Sequence, residues 1–475
     1  MTAASGIAEA IAAALRARNS VSEEFFARES GRLAVACREM SARFEDGGRL
    51  LAFGRVQSAT DAQHVVVEFI HPVIVGKRAL PALDLSAAFV QWARVISHPR
   101  DIAIGFSGPA GDQEVAETLA HLTASGVLTI GLCAGGARCS FDSPSGDPFV
   151  DQEIVEILYH TLWETVHVFF EHAQLNHDVG EAGFLYPFLG SERQNTDSVV
   201  ESVAESIRIK AGETAALRDQ VALEQAGAIA NAVAAIVSAV RRGGKIIAFG
   251  NGGSATDAND FVFDCVHPPK DFPGIPAISL SGEPASITAI ANDVGSDAIF
   301  LRQLIALASP ADIVLVISSS GSSASLLAAL EEAGKRELPV VAILGYDGGE
   351  IARRGLAGFP IVVRSDYVPR IQEAQASVYH VMRDMIAAMM LPGDKGSTGE
   401  LELYGGASCQ YTSELREKLL LDGKEFTEYD VETDADARRR MMALTGGQRT
   451  IPVLVSGGRV SQVGWHGRGC MVEDS

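Results

Sequence analysis

The residues of this 475-residue chain whose types and spacing could do chemistry begin with two loops rich in Gly and Ser. Gly250, Asn251, Gly252, Gly253 and Ser254 follow the apolar run IIAF, and SSSGSS at 318–323 follows DIVLVI, with the helix-like ASLLAALEEA behind it. Small residues let a backbone close on a phosphate with its N–H groups inward, and a helix N-terminus behind the loop adds favourable partial charge. Elsewhere His64 and Glu68 stand four apart, so a helix would carry both on one face. Gln152 and His160 are eight apart inside a helix-like segment, as are Gln372 and His380, with Tyr just before each His. Cys409 sits where a loop enters a helix-like stretch, where the helix dipole and unpaired N–H groups favour the thiolate.

The elements that must position these groups come in two copies. SATDA occurs at 58–62 after LLAFG, and again at 254–258 after IIAFG. Each copy continues with an apolar run, a loop, a helix-like segment, another apolar run and a long amphipathic helix. These are DIAIGF, VLTIGL and FVDQEIVEILYHTLWETVHVFFEHA in the first copy, and DIVLVI, VVAILG and RIQEAQASVYHVMRDMIAAMM in the second. Continuous apolar runs alternating with helices predict mostly parallel sheets covered on both faces, hence two doubly wound α/β domains. The expected boundaries are 1–180 and 190–392, then a polar Gly-rich linker at 393–399 and a third unit of different character at 400–475.

Composition narrows the function classes. A formal charge of −21 disfavours nucleic-acid or anionic-membrane partners, because phosphates would be repelled without a segregated basic patch. RRGGK at 241–245 and ARRR at 437–440 are short and interleaved with acids. No run approaches the roughly 20 apolar residues of a membrane span. The amphipathic N-terminus carries Glu9 and no signal-peptide core, so a cytoplasmic location is expected. Six cysteines at 37, 133, 139, 265, 409 and 470 lack disulfide-framework or zinc-finger spacing, which suits a reducing compartment.

On these residues, 243–390 resembles the sugar isomerase (SIS) domain of phosphoheptose isomerases, through GNGGS, ITAIANDVG with Asn292 and Asp293, SSSGSSAS and RIQEAQASVYH. The resemblance implies that Ser318, Ser319, Ser320 and Ser323 hold a sugar phosphate. It also implies that Asn251, Ser254 and Asp293 contact the open-chain sugar, with Gly252, Gly253 and Gln372 alongside. Phosphoheptose isomerases hold zinc through a His, a Glu four residues on, and a Gln and His eight apart. The second copy has Asp260 and Asp264 in the first two places, whereas the first copy keeps His64, Glu68, Gln152 and His160. Imidazole, carboxylate and amide oxygen together suit a borderline divalent metal. In an aldose–ketose isomerisation a carboxylate can carry a proton between adjacent carbons and an imidazole can protonate oxygen, and the resemblance implies Glu68 as base and His160 as acid.

The loops of the first copy differ: GRVQS replaces GNGGS, and FSGPAGD at 106–112 replaces the serine-rich loop. We therefore expect a composite site, with phosphate loops from the second copy facing the metal cluster of the first, and Asp260 and Asp264 on a solvated helix face, an oxygen-rich site for a harder cation being the alternative for these two carboxylates. The sequence leaves open that the histidines are ordinary core residues and that the chain only senses sugar phosphates.

Residues 400–475 run strand, Cys, helix, strand, helix, strand, strand, and resemble glutaredoxin, with its thioredoxin fold. Cys409, Gln410, Tyr411 and Thr412 stand at the redox motif, and Thr450, Ile451, Pro452 and Val453 match the loop whose proline is usually cis. The resemblance implies Cys409 as nucleophile, and Tyr411, Thr450, Ile451 and Pro452 as its binding surround, with glutathione as cofactor. Thr412 replaces the second motif cysteine, so the chemistry is monothiol unless Cys470 resolves it. A redox domain and a retained binding or oligomerisation module both fit. The expected function is a zinc-dependent aldose/ketose phosphate isomerase, sedoheptulose 7-phosphate being the favoured substrate, in a homodimer with four SIS units. The alternative is a non-catalytic sugar-phosphate-binding regulator.

Overall fold

The computed structural model describes residues 3–72, 77–174, 196–268, 273–390, 401–421, 426–445, 447–456, 459–465 and 468–472. The expected linker at 393–399 and most of the divergent stretch between the copies lie outside them. Met1–Ala387 forms one compact unit and Ala388–Ser475 a second.

The first copy opens with α1 (Ala3–Glu45) and continues through β1 (Leu50–Phe53), α2 (Ser58–Ile70), β2 (Ala82–Asp84), α3 (Phe89–Ile96), β3 (Ile102–Phe106), α4 (Gln113–Ala124), β4 (Leu128–Leu132), β5 (Cys139–Phe141) and α5 (Pro148–Gln174). The second is α6 (Thr196–Glu224), α7 (Ala226–Arg241), β6 (Ile246–Phe249), α8 (Gly253–Val266), β7 (Ala277–Ser279), α9 (Pro284–Asp293), α10 (Ile299–Leu307), β8 (Ile313–Ser318), α11 (Ala324–Lys335), β9 (Val340–Gly345), α12 (Gly349–Arg353), β10 (Phe359–Val363) and α13 (Val368–Met390).

Both sheets are parallel and share one topology. The orders β2-β1-β3-β4-β5 and β10-β9-β8-β6-β7 correspond strand for strand, with Leu50 beside Ile102 in one and Ile246 beside Ile313 in the other. The inner strands β1, β3, β4, β6, β8 and β9 are almost wholly apolar and fully buried, because both of their faces are covered. Leu50 and Ala52 pack with α1 and α5 residues such as Phe26 and Leu158, while Leu51 and Phe53 turn to Phe89 and Leu119 on α3 and α4. In each sheet the order in which strands are added reverses between β1 and β3, or β6 and β8, which opens a crevice at the carboxyl ends of those parallel strands. The loops singled out in the sequence leave those strand ends. Among the described residues, no single helix is long and apolar enough to cross a membrane.

The second unit holds β11 (Leu401–Gly405), α14 (Gln410–Leu421), β12 (Phe426–Asp430), α15 (Ala435–Leu444), β13 (Thr450–Ile451), β14 (Val453–Ser456), β15 (Arg459–Val463) and β16 (Cys470–Met471). Its mixed sheet runs β12-β11-β14-β15, with β11 parallel to β12 and antiparallel to β14, as expected of a thioredoxin fold. The Ile451–Pro452 peptide is cis.

Candidate functional site

The α2, α5, α8 and α13 helices bring the two copies together, and their facing surfaces are polar although buried. His64, Glu68, Asp61, Glu156, His160, Asp257, Asp260, Asp264, Gln372 and His380 are all at most 7% exposed. Asp260 and Asp264 thus do not lie on a solvated face: the side of α8 that carries them is covered by the other copy, which no single-helix pattern reveals.

A cluster forms around His64. Its Nε2 lies 3.8 Å from Glu68 Oε1, and ligand atoms of His64, Glu68 and His160 all lie within 4.8 Å of one another. The amide that reaches this cluster is Gln372, whose Nε2 is 3.3 Å from His64 Nε2. Gln152 instead lines a cavity with Asp61 and Asp264. Helix geometry gives the reason: eight residues rise about 12 Å, so a Gln and a His eight apart on one helix cannot meet at one ion. Each copy therefore lends its Gln to its neighbour's cluster.

The second shell is exchanged in the same way. His160 Nδ1 lies 3.1 Å from Glu373 Oε1, and His380 Nδ1 lies 3.1 Å from Glu153 Oε1. Glu373 is anchored by Arg370 and Thr214, and Glu153 by Arg18 and Ser377 (2.7 and 2.6 Å). These carboxylates orient each imidazole so that Nε2 points inward. Neither glutamate was singled out from sequence, yet each directly follows its copy's Gln, in DQEIVEILYH and RIQEAQASVYH.

The polar atoms left over show what the cluster can hold. Glu68 Oε2, His160 Nε2 and Gln372 Oε1 are buried without hydrogen-bond partners. Unpaired buried polar atoms are costly, and Glu68 and His160, which carry two of them, offer ligand atoms within 4.8 Å of each other and of His64, which suits a bound cation. Burial first, and then the neighbouring His160, lower His64 to about 3, so it stays neutral and able to ligate. Its Nδ1 meets Tyr159 Oη at 3.0 Å and Asp257 Oδ1 at 3.4 Å. Burial raises Glu68 and, together with neighbouring carboxylates, holds Glu156 and Asp257 well above the usual carboxylate range.

The phosphate-type loop of the second copy reaches this cluster. Gly252 adopts φ +58°, which turns the chain into α8, and Gly253 packs on the two side chains themselves. A Cβ at Gly253 would lie 2.5 Å from His64 Nε2 and closer still to Gln372 Nε2. Ser254 is buried at the helix start, and the exposed Asn251 donates to Ser325 Oγ at 3.1 Å. In the serine loop, Ser318 Oγ accepts from Gly321 N (3.0 Å) and Ser319 is half-buried, while Ser320 is exposed. Ser323 precedes α11 without capping it, which leaves its hydroxyl for a ligand. Asp293 is exposed at the end of α9 and accepts from Asn292 at 2.8 Å. In the first copy Val56, at the place of Gly252, also takes a positive φ, +53°, although it is not a glycine. Arg55 there is engaged by Glu114 and, at 3.7 Å, Asp112.

In the second unit Cys409 is buried just ahead of α14, its Sγ 3.9 Å from Ile451 O. Cys470 pairs with Ile451 across β13 and β16, which sets its thiol beside that of Cys409. Burial raises Cys409, but the neighbouring Cys470 thiol, Thr412 and the backbone of Tyr411 outweigh it and lower the thiol overall, whereas Cys470 is pushed up to about 11.

Residues 211–345 match the family model described as SIS domain, and 401–460 that of glutaredoxin. Phosphoheptose isomerase from Alteromonas mediterranea is 39% identical over 198 residues, which is 40% of this chain and 98% of the relative. Phosphoheptose isomerase from Geobacter sp. (strain M21) is 42% identical over 164 residues, 34% of this chain and 84% of the relative. The C-terminal domain of glucosamine-fructose-6-phosphate aminotransferase from Francisella tularensis covers 78% of this chain and 94% of its own, with TM-score 0.50 at 8% identity, a likeness of fold. With nearly the full length of a relative matched at that identity, the chain belongs to the phosphoheptose isomerase family of SIS-domain enzymes and carries a glutaredoxin domain after its SIS portion.

Proposed function

We propose that the chain is a metal-dependent aldose–ketose isomerase of a seven-carbon sugar phosphate, sedoheptulose 7-phosphate, with its site composed from both copies. The observation that carries this reading is Gly253: one residue of the second copy's phosphate-type loop abuts His64 of the first copy and Gln372 of the second. Ser320 and Ser323, with the loop at 250–254, would bind the phosphate. His64, Glu68, His160 and, after a half-turn of its amide, Gln372 Oε1 would hold zinc. Bound there, zinc would polarise the sugar carbonyl. Glu68, raised by burial, takes the proton from one carbon and returns it to its neighbour. With Nε2 toward the metal and Nδ1 held by Glu373, His160 has no free nitrogen for a proton, so the matching proton passes between the two adjacent sugar oxygens, and the product is an isomer with no group gained or lost.

His64→Ala and Ser320→Ala, assayed separately on sedoheptulose 7-phosphate, test the composite site. His64→Ala should lose most turnover and Ser320→Ala should raise KM about 10-fold, and wild-type kinetics in both would sink the reading. Near-stoichiometric zinc in the wild type, lost in His64→Ala and kept in Asp260→Ala, would support the assignment. Sugar-phosphate binding without metal or turnover would favour a regulator. Light scattering reads the proposed homodimer of four SIS units.

For the glutaredoxin domain we infer a two-thiol cycle, on the observation that both thiols stand at Ile451: Cys409 Sγ donates to its oxygen at 3.9 Å, and Cys470 pairs with Ile451 across β13 and β16. The Cys409 thiolate attacks a disulfide such as oxidised glutathione, releases one thiolate and forms a mixed disulfide. Cys470 then displaces the second thiol, leaving a Cys409–Cys470 disulfide and two reduced glutathiones.

A further inference from the structure

The pseudo-twofold that exchanges the copies carries His64, Glu68, His160 and Gln372 onto Asp260, Asp264, His380 and Gln152. We propose that Asp260, Asp264 and His380, with Gln152 beside them, form a second divalent-cation site, harder in character than the first and of the manganese(II) class. It does not depend on the zinc assignment.

Three observations converge on it. Ligand atoms of Asp260, Asp264 and His380 lie within 4.8 Å of one another, with His380 Nε2 3.4 Å from Asp260 Oδ2 and 3.5 Å from Asp264 Oδ2. Those separations match ligands sharing one ion at bond lengths of roughly 2.1 Å, which places neighbouring donors about 3–3.5 Å apart. Next, His380 Nε2 and Asp264 Oδ2 are buried and have no hydrogen-bond partner, although His380 is fixed through Nδ1 by Glu153. An imidazolium satisfied by the two aspartates would instead donate to one of them in line.

Charge supplies the third. Asp61 packs on the same group, and Asp260 accepts from Thr60 (3.2 Å) and Tyr379 (2.9 Å), neither of which is cationic. The nearest guanidinium, Arg383, spends its Nε on the backbone oxygen of Asp264 (2.9 Å). The charge of Arg383 also falls on Asp264, so three buried carboxylates face one imidazole and one guanidinium and stay short of positive charge, and a divalent ion corrects this. Two carboxylates and an amide to one imidazole favour a harder ion than the two imidazoles of the first cluster. Entry is open, because Asp264 and Gln152 line a cavity of about 650 Å³ beneath the first copy's loops. With Asp61, Asp112 and Asp151 in its lining and Arg55 already engaged, that cavity repels a phosphorylated sugar, so the ion's remaining ligands are water.

The test uses the full-length chain stripped with chelator, given one equivalent of Zn²⁺ and then titrated with Mn²⁺ by equilibrium dialysis and electron paramagnetic resonance. The proposal expects one Mn²⁺ per chain, at least about 10-fold weaker in the isosteric Asp264→Asn and retained in His64→Ala. Spin-echo spectra of the wild type should show nitrogen modulation from His380, a readout that needs no variant. No bound Mn²⁺ in the wild type, equal affinity in Asp264→Asn, or no nitrogen coupling would each overturn it.

Discussion

Replacing Gly253 with alanine puts one methyl group where the two copies meet. That carbon would sit 2.5 Å from His64 Nε2 and nearer still to Gln372 Nε2, against ordinary contacts of about 3.5–4 Å. His64 cannot retreat freely, because Tyr159 and Asp257 hold its other nitrogen. Relief therefore requires Gln372 to swing out or the two donors to separate by roughly 1 Å, and a displacement of that size costs on the order of 10²-fold in an aligned site. Gly253→Ala should lower both zinc affinity and isomerase turnover by about two orders of magnitude. Overpacking should also cost roughly 1–3 kcal/mol of stability. Gly212→Ala is the control: it lies exposed within α6 with open space around its Cβ position, and should gain about 0.4–1 kcal/mol. Elemental analysis, turnover on sedoheptulose 7-phosphate and thermal unfolding read all three quantities. A Gly253→Ala protein with full zinc and wild-type turnover would refute the composite geometry.

Ser320→Ala and Ser323→Ala should each raise KM about 10-fold, because a hydrogen bond to a charged phosphate contributes about 1.5–3 kcal/mol; unchanged KM in both would remove the serine loop from the site. Glu373→Gln should weaken zinc binding about 10–100-fold through misorientation of His160, while Glu153→Gln leaves zinc in place, as metal titrations would show. In the metal-free protein, neutral His64 contributes stability that is complete above pH 6.5 and lost as pH falls toward 3, at up to about 1.4 kcal/mol per pH unit. Denaturant unfolding between pH 6 and 4 should accordingly be shallower by about one proton in His64→Asn, and identical slopes would contradict the burial argument. Mass spectrometry after oxidised glutathione should find the wild type two hydrogens lighter and Cys470→Ser carrying one glutathione; a stable glutathione adduct on the wild type would rule out Cys470 as resolving thiol.

The parallel sheets, the duplication and the thiol domain were legible because each rests on local pattern: apolar runs buried on both faces, small residues where the chain turns, a cysteine ahead of a helix. The facing of the two copies was not local. Asp260 and Asp264 read as a solvated stripe because α8 alone gives no hint that its polar side is covered. The exchange of Gln152 and Gln372 could have been anticipated, since the 12 Å rise between positions eight apart excludes a shared ion on one helix. Repetition of Gln-Glu in both late helices was likewise visible, and it marks the carboxylates that orient the two imidazoles.

Duplication changes what such an interface can become. In a symmetric dimer, a substitution at the position of His64 alters every site at once, and any site that loses its imidazole loses it throughout. Joining the copies in one chain makes Asp260 and His64 independent positions at equivalent places, each facing the other's Gln and Glu. The borrowed parts explain why divergence stopped where it did. His380, Gln372, Glu373 and Glu153 persist in both halves because the first cluster is completed from the second copy, and the second from the first. The loops differ more between the copies: GRVQS and FSGPAGD stand where the second copy has GNGGS and SSSGSS, while His64, Glu68 and His160, on the same copy's helices, keep their places beside Gly253 and Gln372 of the other.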